Sequence, residues 1–384
     1  MTNPKRLFFV AGEHSGDLHG SLIISHLKRF DPTLRIEGIG GPLMQSVGCE
    51  NLHCIDELAV IGFIEVLKNF RRLYDIFNDV RRHLEETRPD LLILIDYPGF
   101  NVRLAEAAKA MGIRVLYYIC PQVWAWHASR VNKITRVINE AVVVFAFEEA
   151  IWKQAGATVS WHGHPLIDIV KASTDRQTFR AELSLGDGPV VSLLPGSREQ
   201  EIHYILPLLL DTAALILKDR PSSRFLLPLA GTIDDGLIQP HLRNRSLPLQ
   251  ILRGRTYDAV ASSDLALVAS GTATLETAIL GTPLIVVYQT NLFTSVLSKF
   301  LVQSPHIGLP NVVAGRQVVP EFIRWNFTPA NVAREALSLL ANPDRLQKMR
   351  AELGDVRRTL GQPGAGERVA EHIFRGLQKQ GGPT

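Results

Sequence analysis

Small hydroxyl residues and a glycine follow an apolar run in the second half of the chain. Ser270-Gly271-Thr272 comes directly after the run DLALVA, and Glu276 lies about one turn further on. Free N–H groups at a helix start bind phosphate, and a carboxylate one turn later can accept the two hydroxyls of a ribose. The pattern predicts a nucleotide site, although an N-cap role for Thr272 and a solvated Glu276 would fit the same residues.

A second turn of this kind is LLPGSREQE (193–201), where glycine precedes a hydroxyl and a cation. Ser197 followed by Gln200 at a spacing of three predicts a capping box after the turn at Gly196. Arg198 would then oppose the helix dipole unless an anion neutralises it, and its planar donor fork suits phosphate; a surface arginine is the alternative. With two such turns, the second half is predicted to bind a nucleotide diphosphate.

The first half offers a carboxylate at the end of a strand. Asp96 ends the apolar run LLILID, and we expect it to face a cleft between two domains as a general base, although it could instead cap the next turn. The loop AGEHSGDLHG (11–20) follows the first strand and is neither a dinucleotide-binding glycine motif nor a P-loop. Its polar and small residues available to a substrate are Glu13, Ser15, Gly16 and Asp17.

Aromatic residues and histidines give weaker signals. Trp124 and Trp126 in CPQVWAWHASR (120–130) could flank a sugar or an acyl chain, or pack in the core. His162 and His164 lack nearby carboxylates or thiolates, so no metal site is predicted, and His164 is interpreted as a cleft or hinge residue. The chain has neither an H-E-x-x-H motif nor a G-x-S-x-G motif.

Alternating strands and helices must position these residues. Apolar strands are predicted at 6–12, 34–40, 90–96, 113–119 and 141–147, and the rhythm restarts at 189–197, 224–230, 249–254, 264–270 and 282–288. Alternation of this kind predicts α/β architecture with parallel sheets, and ligands bind at the carboxyl ends of such strands. We therefore expect two doubly wound, Rossmann-like domains facing across a cleft, 1–165 and 186–364, a linker at 166–185, and a helix at 365–384 that packs back on the first domain.

Composition limits the classes of function. The chain has 384 residues, 46% of them hydrophobic and 21% charged, a length that suggests two domains at ~150 residues each. A net charge of +3 is too weak to indicate a nucleic-acid partner. Three cysteines without a metal-binding spacing fit a reducing compartment. Without a signal peptide or a span of ~18 apolar residues, the protein is predicted to be cytoplasmic.

One helical segment combines an apolar stripe with basic residues. Apolar residues recur every three or four positions over 63–80, with lysine and arginine interleaved. Such a helix can lie on an anionic membrane surface, or it can pack in the core. The residues interpreted as contacting the membrane are Val66, Leu67, Phe70, Leu73 and Tyr74.

Several of these motifs together resemble the lipid-A-disaccharide synthases, a family of glycosyltransferases with the two-domain GT-B fold. The matching pieces span nearly the whole chain in order: Ala11–Asp17, Gly41-Pro42, Glu57–Val60, Glu65–Leu67, Asp96–Asn101, Val123–Trp126, Gly163-His164, Leu194–Arg198, Ser270–Glu276 and Leu309–Asn311. The Trp-Ala-Trp and Asp-x-Pro-x-Phe-Asn pieces are specific to the family, whereas Ser-Gly-Thr with the glutamate is shared with other UDP-sugar transferases.

The resemblance implies an inverting reaction of UDP-2,3-diacylglucosamine with 2,3-diacylglucosamine 1-phosphate, giving the β(1→6) lipid A disaccharide and UDP without metal or other cofactor. It matches Asp96 and Arg198 to the family's essential residues, and Glu276 and Asn311 to its donor site. Asn101 belongs to the same turn as Asp96, where Gly99 replaces a second aspartate that the family often has. Acylated substrates imply a peripheral position on the cytoplasmic face of the inner membrane.

Other functions fit the same motifs. A UDP-N-acetylglucosamine epimerase or an undecaprenyl-linked transferase would share the fold, and a nucleotide-sugar-binding module would share the second half without catalysis. The products separate these alternatives. The sequence leaves the oligomeric state open, with a homodimer among the assemblies that fit.

Overall fold

The chain forms two compact units. The computed structural model describes residues 4–58, 70–126, 129–231, 233–243, 245–289 and 305–379, without the side chains of residues 70, 125, 126 and 129. Unit 1 comprises Met1–Asp168 and Leu360–Thr384, and unit 2 comprises Ile169–Thr359.

Unit 1 is built on a parallel sheet. Its described strands are β1 (Arg6–Ala11), β2 (Arg35–Gly40), β3 (Glu50–Cys54), β4 (Leu91–Ile95), β5 (Val115–Tyr118), β6 (Glu140–Val143) and β7 (Val159–Trp161). They lie in the order β3-β2-β1-β4-β5-β6-β7. The order reverses between β1 and β4, where Ala11 pairs with Ile95, so the segments that begin at Gly12 and Asp96 leave the sheet side by side. Ligand sites of doubly wound sheets lie at this switch point.

Helices connect these strands. Those of the described residues are α1 (His14–Phe30), α2 (Pro42–Ser46), α3 (Ile55–Leu58), α4 (Phe70–Thr87), α5 (Pro98–Ala110), α6 (Val123–Trp126), α7 (Ser129–Thr135), α8 (Glu148–Gln154) and α9 (Leu166–Ile169). A core of aliphatic and aromatic residues fills the space between the sheet and helices such as α4 and α5.

Unit 2 repeats the plan. Its described strands are β8 (Val190–Leu194), β9 (Arg224–Leu229), β10 (Leu249–Arg253), β11 (Leu265–Ala269), β12 (Leu284–Tyr288) and β13 (Glu321–Ile323), in the order β10-β9-β8-β11-β12-β13. Its helices are α10 (Arg176–Glu182), α11 (Glu199–Asp219), α12 (Asp235–Leu242), α13 (Thr256–Ala261), α14 (Thr272–Ile279), α15 (Leu309–Ala314), α16 (Pro329–Leu340) and α17 (Pro343–Thr359). Leu194 pairs with Val268, so the two glycine turns leave β8 and β11 side by side.

The predicted α/β class with two Rossmann-like sheets is confirmed. The predicted strands all appear, and those the sequence did not reveal are β3, β7 and β13. All three lie at sheet edges, where their residues are partly exposed and the apolar pattern is correspondingly weak.

The segments before and after unit 2 form helices that pack against the two units. The predicted linker, 166–185, contains α9 and α10, and Phe179 and Leu185 are buried against the core of unit 2 because both side chains are large and apolar. Beyond α17 the chain returns to unit 1 as α18 (Ala365–Gln378), which packs on α1 and buries Val369, Ile373 and Leu377.

Two helices bear on membrane contact. By length and composition α11 could cross a membrane, although 44% of its most apolar window is buried inside the protein, so the helix is weak evidence for a membrane span. In α4, Val80 is buried and Leu73 and Phe77 pack against the core, so most of the described side chains of the predicted stripe face inward. Tyr74 is 57% exposed. Val66 and Leu67, with the side chain of Phe70, lie outside the described residues.

Candidate active site

A cavity of about 660 Å³ in unit 2 lies at the carboxyl ends of β8 and β11. The residues proposed from the two glycine turns line it together: Gly196, Ser197, Arg198, Ser270, Gly271, Thr272 and Glu276. Residues some 75 positions apart in the chain thus share one space, because their strands are neighbours in a parallel sheet. Its size suits a ligand of the dimensions of a nucleotide diphosphate.

In the Ser270–Thr272 turn, the Ser270 hydroxyl has a hydrogen-bond partner, whereas the first N–H groups of the following helix have no capping side chain. Ser270 Oγ donates a hydrogen bond to Ile307 O over 2.8 Å, so its oxygen can still accept. Helix α14 begins at Thr272, and its N-cap, Gly271, offers no capping side chain. Thr272 is therefore not the N-cap, and the first-turn N–H groups have no side-chain acceptor from that position. Such a helix start favours an anion.

The Gly196–Arg198 turn is organised by Glu201, which the sequence did not single out. Glu201 Oε2 accepts the Ser197 N–H at 2.8 Å and the Arg198 N–H at 3.2 Å. The helix begins at Glu199, so the capping pair is Arg198 with Glu201, and the predicted pair of Ser197 with Gln200 is shifted by one residue. A Cβ atom on Gly196 would lie 2.1 Å from Glu201 Oε2, which is why the turn needs glycine there.

Arg198 is placed to meet an anion in the cavity. Its side chain is 58% exposed, and its Nη1 lies 3.7 Å from Glu201 Oε1. An exposed pair at this distance contributes little to stability. The guanidinium thus keeps most of its donors available to a ligand.

Glu276 forms part of a polar pair deep in the cavity. The Tyr257 hydroxyl donates to Glu276 Oε1 over 3.2 Å. Burial raises the pKa of Glu276, and the hydrogen bond from Tyr257 opposes that rise. A carboxylate held in this way can accept hydroxyls from a sugar. Tyr257 also lines the cavity and was missed, although it follows the carboxyl end of β10, where the rule for parallel sheets would have pointed.

Asn311 occupies a different position from the one proposed. It is completely buried, and its Oδ1 accepts the N–H groups of Val318 and Val319 at 2.6 and 2.9 Å. Its Nδ2 donates to Val319 O and Glu321 Oε1. Because these backbone and carboxylate partners use the whole amide, Asn311 holds a loop together and is not among the described residues that line the cavity.

Asp96 ends β4 at the switch point of unit 1 in a strained backbone conformation. Asp96 and Tyr97 both have a φ of 47°, in the left-handed region that side chains other than glycine rarely adopt. The Tyr117 hydroxyl donates to Asp96 O over 2.7 Å, and Asn101 Nδ2 donates to the same oxygen over 2.8 Å. Strain of this kind, held by surrounding hydrogen bonds, concentrates at functional sites.

The environment of Asp96 suits a general base. Asp96 keeps an exposed surface, yet desolvation by the protein around it and then the charge of Glu13 raise its pKa to about 6, against a weaker opposite effect of the Tyr97 N–H. A carboxylate with this pKa is mostly ionised at neutral pH and is a stronger base than an ordinary one. Asp96 lines a second cavity, of about 610 Å³, formed within unit 1.

The residues of the first loop divide into two groups. Glu13 and Ser15 are exposed at the start of α1. Asp17 is only 2% exposed and accepts the N–H groups of Gly41, Leu43 and Met44. The carboxylate of Asp17, which was proposed to contact a substrate, is therefore bound by the free N–H groups at the start of α2. Gly16 is also buried, and a Cβ atom there would lie 3.1 Å from the Cβ of Ala11, so it serves close packing.

Two further predicted residues hold turns, and a third bonds to a buried glutamate. Asn101 is completely buried, where it donates to Asp96 O and Ile95 O. His164 is 7% exposed, burial lowers its pKa to about 3, and its Nδ1 accepts the Leu166 N–H. Trp124 donates from Nε1 to Glu148 over 3.0 Å and remains partly exposed, while the side chain of Trp126 lies outside the described residues.

Comparison with known proteins decides the family. A family model described as LpxB, lipid-A-disaccharide synthetase, matches residues 7–371. The chain belongs to this family. It is 42% identical over 370 residues to the lipid-A-disaccharide synthase of Syntrophus aciditrophicus (strain SB), covering 96% of this chain and 97% of that protein. It is 43% identical over 377 residues to that of Geobacter metallireducens, covering 98% of each.

Solved structures with low sequence identity share the fold. The family member is similar to the UDP-GlcNAc 2-epimerase of Neisseria meningitidis, with a TM-score of 0.65 and 15% identity over 96% of this chain and 100% of that one. It is similar to Acinetobacter baumannii MurG, with a TM-score of 0.59 and 16% identity over 97% and 100% of the two chains. These likenesses show the GT-B architecture; the family relationship shows a glycosyltransferase of lipid A biosynthesis rather than an epimerase.

Proposed function

We propose that this enzyme transfers 2,3-diacylglucosamine from its UDP derivative to the 6-hydroxyl of 2,3-diacylglucosamine 1-phosphate. The observation that carries the proposal at the level of residues is the unit 2 cavity, which gathers both glycine turns, Arg198 and Glu276. UDP would place its diphosphate at the turns beside Arg198 and its ribose hydroxyls on Glu276. The departing UDP gains negative charge, which these donors stabilise.

The attacking hydroxyl must lose its proton as the new glycosidic bond forms. Asp96 is our candidate for the base, since its raised pKa is caused by desolvation and by Glu13. The proton passes to the Asp96 carboxylate, the hydroxyl oxygen bonds to the anomeric carbon, and the bond to UDP breaks. Direct displacement of this kind inverts the anomeric configuration.

The decisive experiment supplies both diacyl sugars to the purified protein in detergent with EDTA present. We expect UDP and the β-linked disaccharide to appear in equal amounts. UDP-N-acetylglucosamine alone should yield no C2 epimer. Epimer without disaccharide would overturn the proposal, as would UDP release that does not need the acceptor.

We further propose that the enzyme works at the cytoplasmic face of the inner membrane, through the start of α4. Arg71 and Arg72 are exposed there, next to the exposed ring of Tyr74. Arginines beside apolar side chains favour anionic lipid surfaces. Since Leu73 packs against the core, the basic residues are the better probe.

A double variant tests membrane contact. Arg71→Ala with Arg72→Ala should weaken binding to anionic vesicles roughly thirtyfold in a sedimentation assay, since two charges worth about 1 kcal/mol each are removed. The matched control is Arg357→Ala with Arg358→Ala, an exposed adjacent pair at the end of α17 in unit 2. Equal losses in both pairs would show a general charge effect and count against this surface.

A further inference from the structure

The unit 1 cavity that Asp96 lines is also lined by several cations, which the role of Asp96 as a base does not explain. Besides Asp96, its described lining includes the cations Arg103, Arg130 and Lys133. Arg103 lies on α5, and Arg130 and Lys133 lie one turn apart on α7, so two helices present cations to one space of about 610 Å³. A concentration of cations in a cavity favours an anionic ligand.

Two of these cations have no ion-pair partner among the described residues. Within the part of the chain that the structure describes, Arg103 and Arg130 are exposed and make no ion pair. Lys133 Nζ lies 3.1 Å from Glu106 Oε1, an exposed pair that holds it only weakly. Arginine presents a planar donor fork that matches phosphate oxygens. The arrangement suits one phosphate group held by two guanidinium groups, with the lysine as an additional charge.

Apolar walls accompany the charge. Val102, Val123 and Ile134 line the same cavity. An acceptor with a phosphate on C1 and an acyl chain on the neighbouring C2 would need both kinds of surface close together. Its 6-hydroxyl lies across the ring oxygen from C1, about one sugar ring from the phosphate.

We propose that Arg103 and Arg130, assisted by Lys133, bind the 1-phosphate of the acceptor and so orient its 6-hydroxyl toward Asp96. The proposal rests on the proposed function for the identity of the ligand. It assigns the enzyme's preference for a phosphorylated acceptor to unit 1.

The kinetic test compares 2,3-diacylglucosamine 1-phosphate with the same sugar lacking phosphate, in detergent micelles. Arg103→Ala and Arg130→Ala should each raise KM for the phosphorylated acceptor roughly tenfold, from the loss of a charged hydrogen bond. Their KM for the unphosphorylated sugar and their affinity for UDP should stay at wild-type values. Arg130→Lys should fall between wild type and Arg130→Ala. The matched control is Arg136→Ala, an exposed arginine just beyond α7 that does not line the cavity.

A double variant, Arg103→Ala with Arg130→Ala, decides the result. An unchanged ratio of kcat/KM between the two acceptors would overturn the proposal. The double variant could instead lose activity equally with both acceptors, in vesicles but not in micelles. That result would assign the arginines to lipid headgroups and would also overturn the proposal.

Equilibrium binding separates this proposal from the proposed reaction. Binding of each micellar acceptor to the wild type and to the double variant needs no turnover. Phosphate-dependent binding that the double variant loses, in a protein that forms no disaccharide, would leave the phosphate site standing and reject the reaction. Disaccharide formation by a protein whose acceptor binding does not depend on the phosphate would support the reaction and reject the phosphate site.

Discussion

At the scale of single residues, the chemistry depends on a few side chains whose polar atoms remain available to a ligand. Asp96 is one of these, because its backbone oxygen is held by Tyr117 and Asn101 while its carboxylate faces a cavity. Asp17, another carboxylate near the same switch point, has both oxygens bound to backbone N–H groups. This contrast leaves Glu13 as the alternative base if Asp96 is not the one.

Replacing Asp96 with asparagine keeps the shape and removes the base. We expect kcat to fall ~10²–10⁴-fold, the usual contribution of general base catalysis. Because the group acts as a carboxylate, the wild-type kcat/KM for the acceptor should decline as pH falls through about 6, the pKa of Asp96. Single-turnover rates and a pH profile measure both effects. UDP affinity by calorimetry serves as the control; more than about a tenth of the activity remaining would exclude Asp96 as the base.

The Tyr257–Glu276 pair predicts graded losses in UDP binding. Glu276→Ala should weaken UDP by ~1–3 kcal/mol, since hydrogen bonds to a charged group are lost. Tyr257→Phe removes only the hydroxyl that donates to Glu276 over 3.2 Å, so its effect should be smaller. It should also raise the pKa of Glu276, because that hydrogen bond lowers it. Calorimetry with UDP at several pH values tests both; unchanged affinity in Glu276→Ala would remove the ribose assignment.

At the scale of elements, the turn between β8 and α11 is held by one side chain. Glu201→Ala would leave the N–H groups of Ser197 and Arg198 without their acceptor. We expect the free energy of unfolding of unit 2 to fall by about 1–2 kcal/mol, as for the loss of a helix cap. Urea denaturation measures it, with Glu199→Ala, exposed in the first turn of the same helix, as the control. Equal effects in the two variants would show that the turn is held otherwise.

At the scale of the whole molecule, the last helix belongs to unit 1 although unit 2 precedes it in the chain. Deleting the residues after 359 would expose the surface of α1 that α18 covers and remove Val369, Ile373 and Leu377 from the core. At roughly 1.5–3 kcal/mol per buried aliphatic side chain, the loss approaches the whole stability of a domain.

We therefore expect the truncated protein to lose the cooperative unfolding of unit 1. UDP should still raise the melting temperature of what remains folded, since its cavity lies in unit 2. Differential scanning calorimetry with and without UDP resolves the two transitions. Two intact transitions in the truncated protein would show that α18 contributes little.

The fold class, the central strands and the two glycine turns were predictable from the amino-acid sequence alone. Apolar runs such as Leu91–Ile95 are buried on both faces of a parallel sheet, so their composition alone reveals them. The sheet rule then pointed to Asp96, Arg198 and Ser270–Glu276, because a polar residue at the carboxyl end of a buried strand is unusual enough to notice. Edge strands such as β13 lack this signal because their residues are only partly buried.

Which polar side chains remain available to a ligand depends on contacts between distant parts of the chain, and these could not be predicted from the sequence. Asp17, Asn311 and His164 look like site residues in the sequence, yet backbone groups up to 27 positions away, as for Asp17 and Met44, use their hydrogen-bonding atoms. The amide nitrogen of Asn101 likewise donates to backbone oxygens. Arg130 is the converse case, a residue that the sequence did not single out but that lines a cavity. In the sequence it looks like any exposed arginine of a helix, and only the fold places it in the same cavity as Arg103 of α5. A buried polar atom must find a partner wherever the fold brings one, and that partner is rarely near it in the sequence.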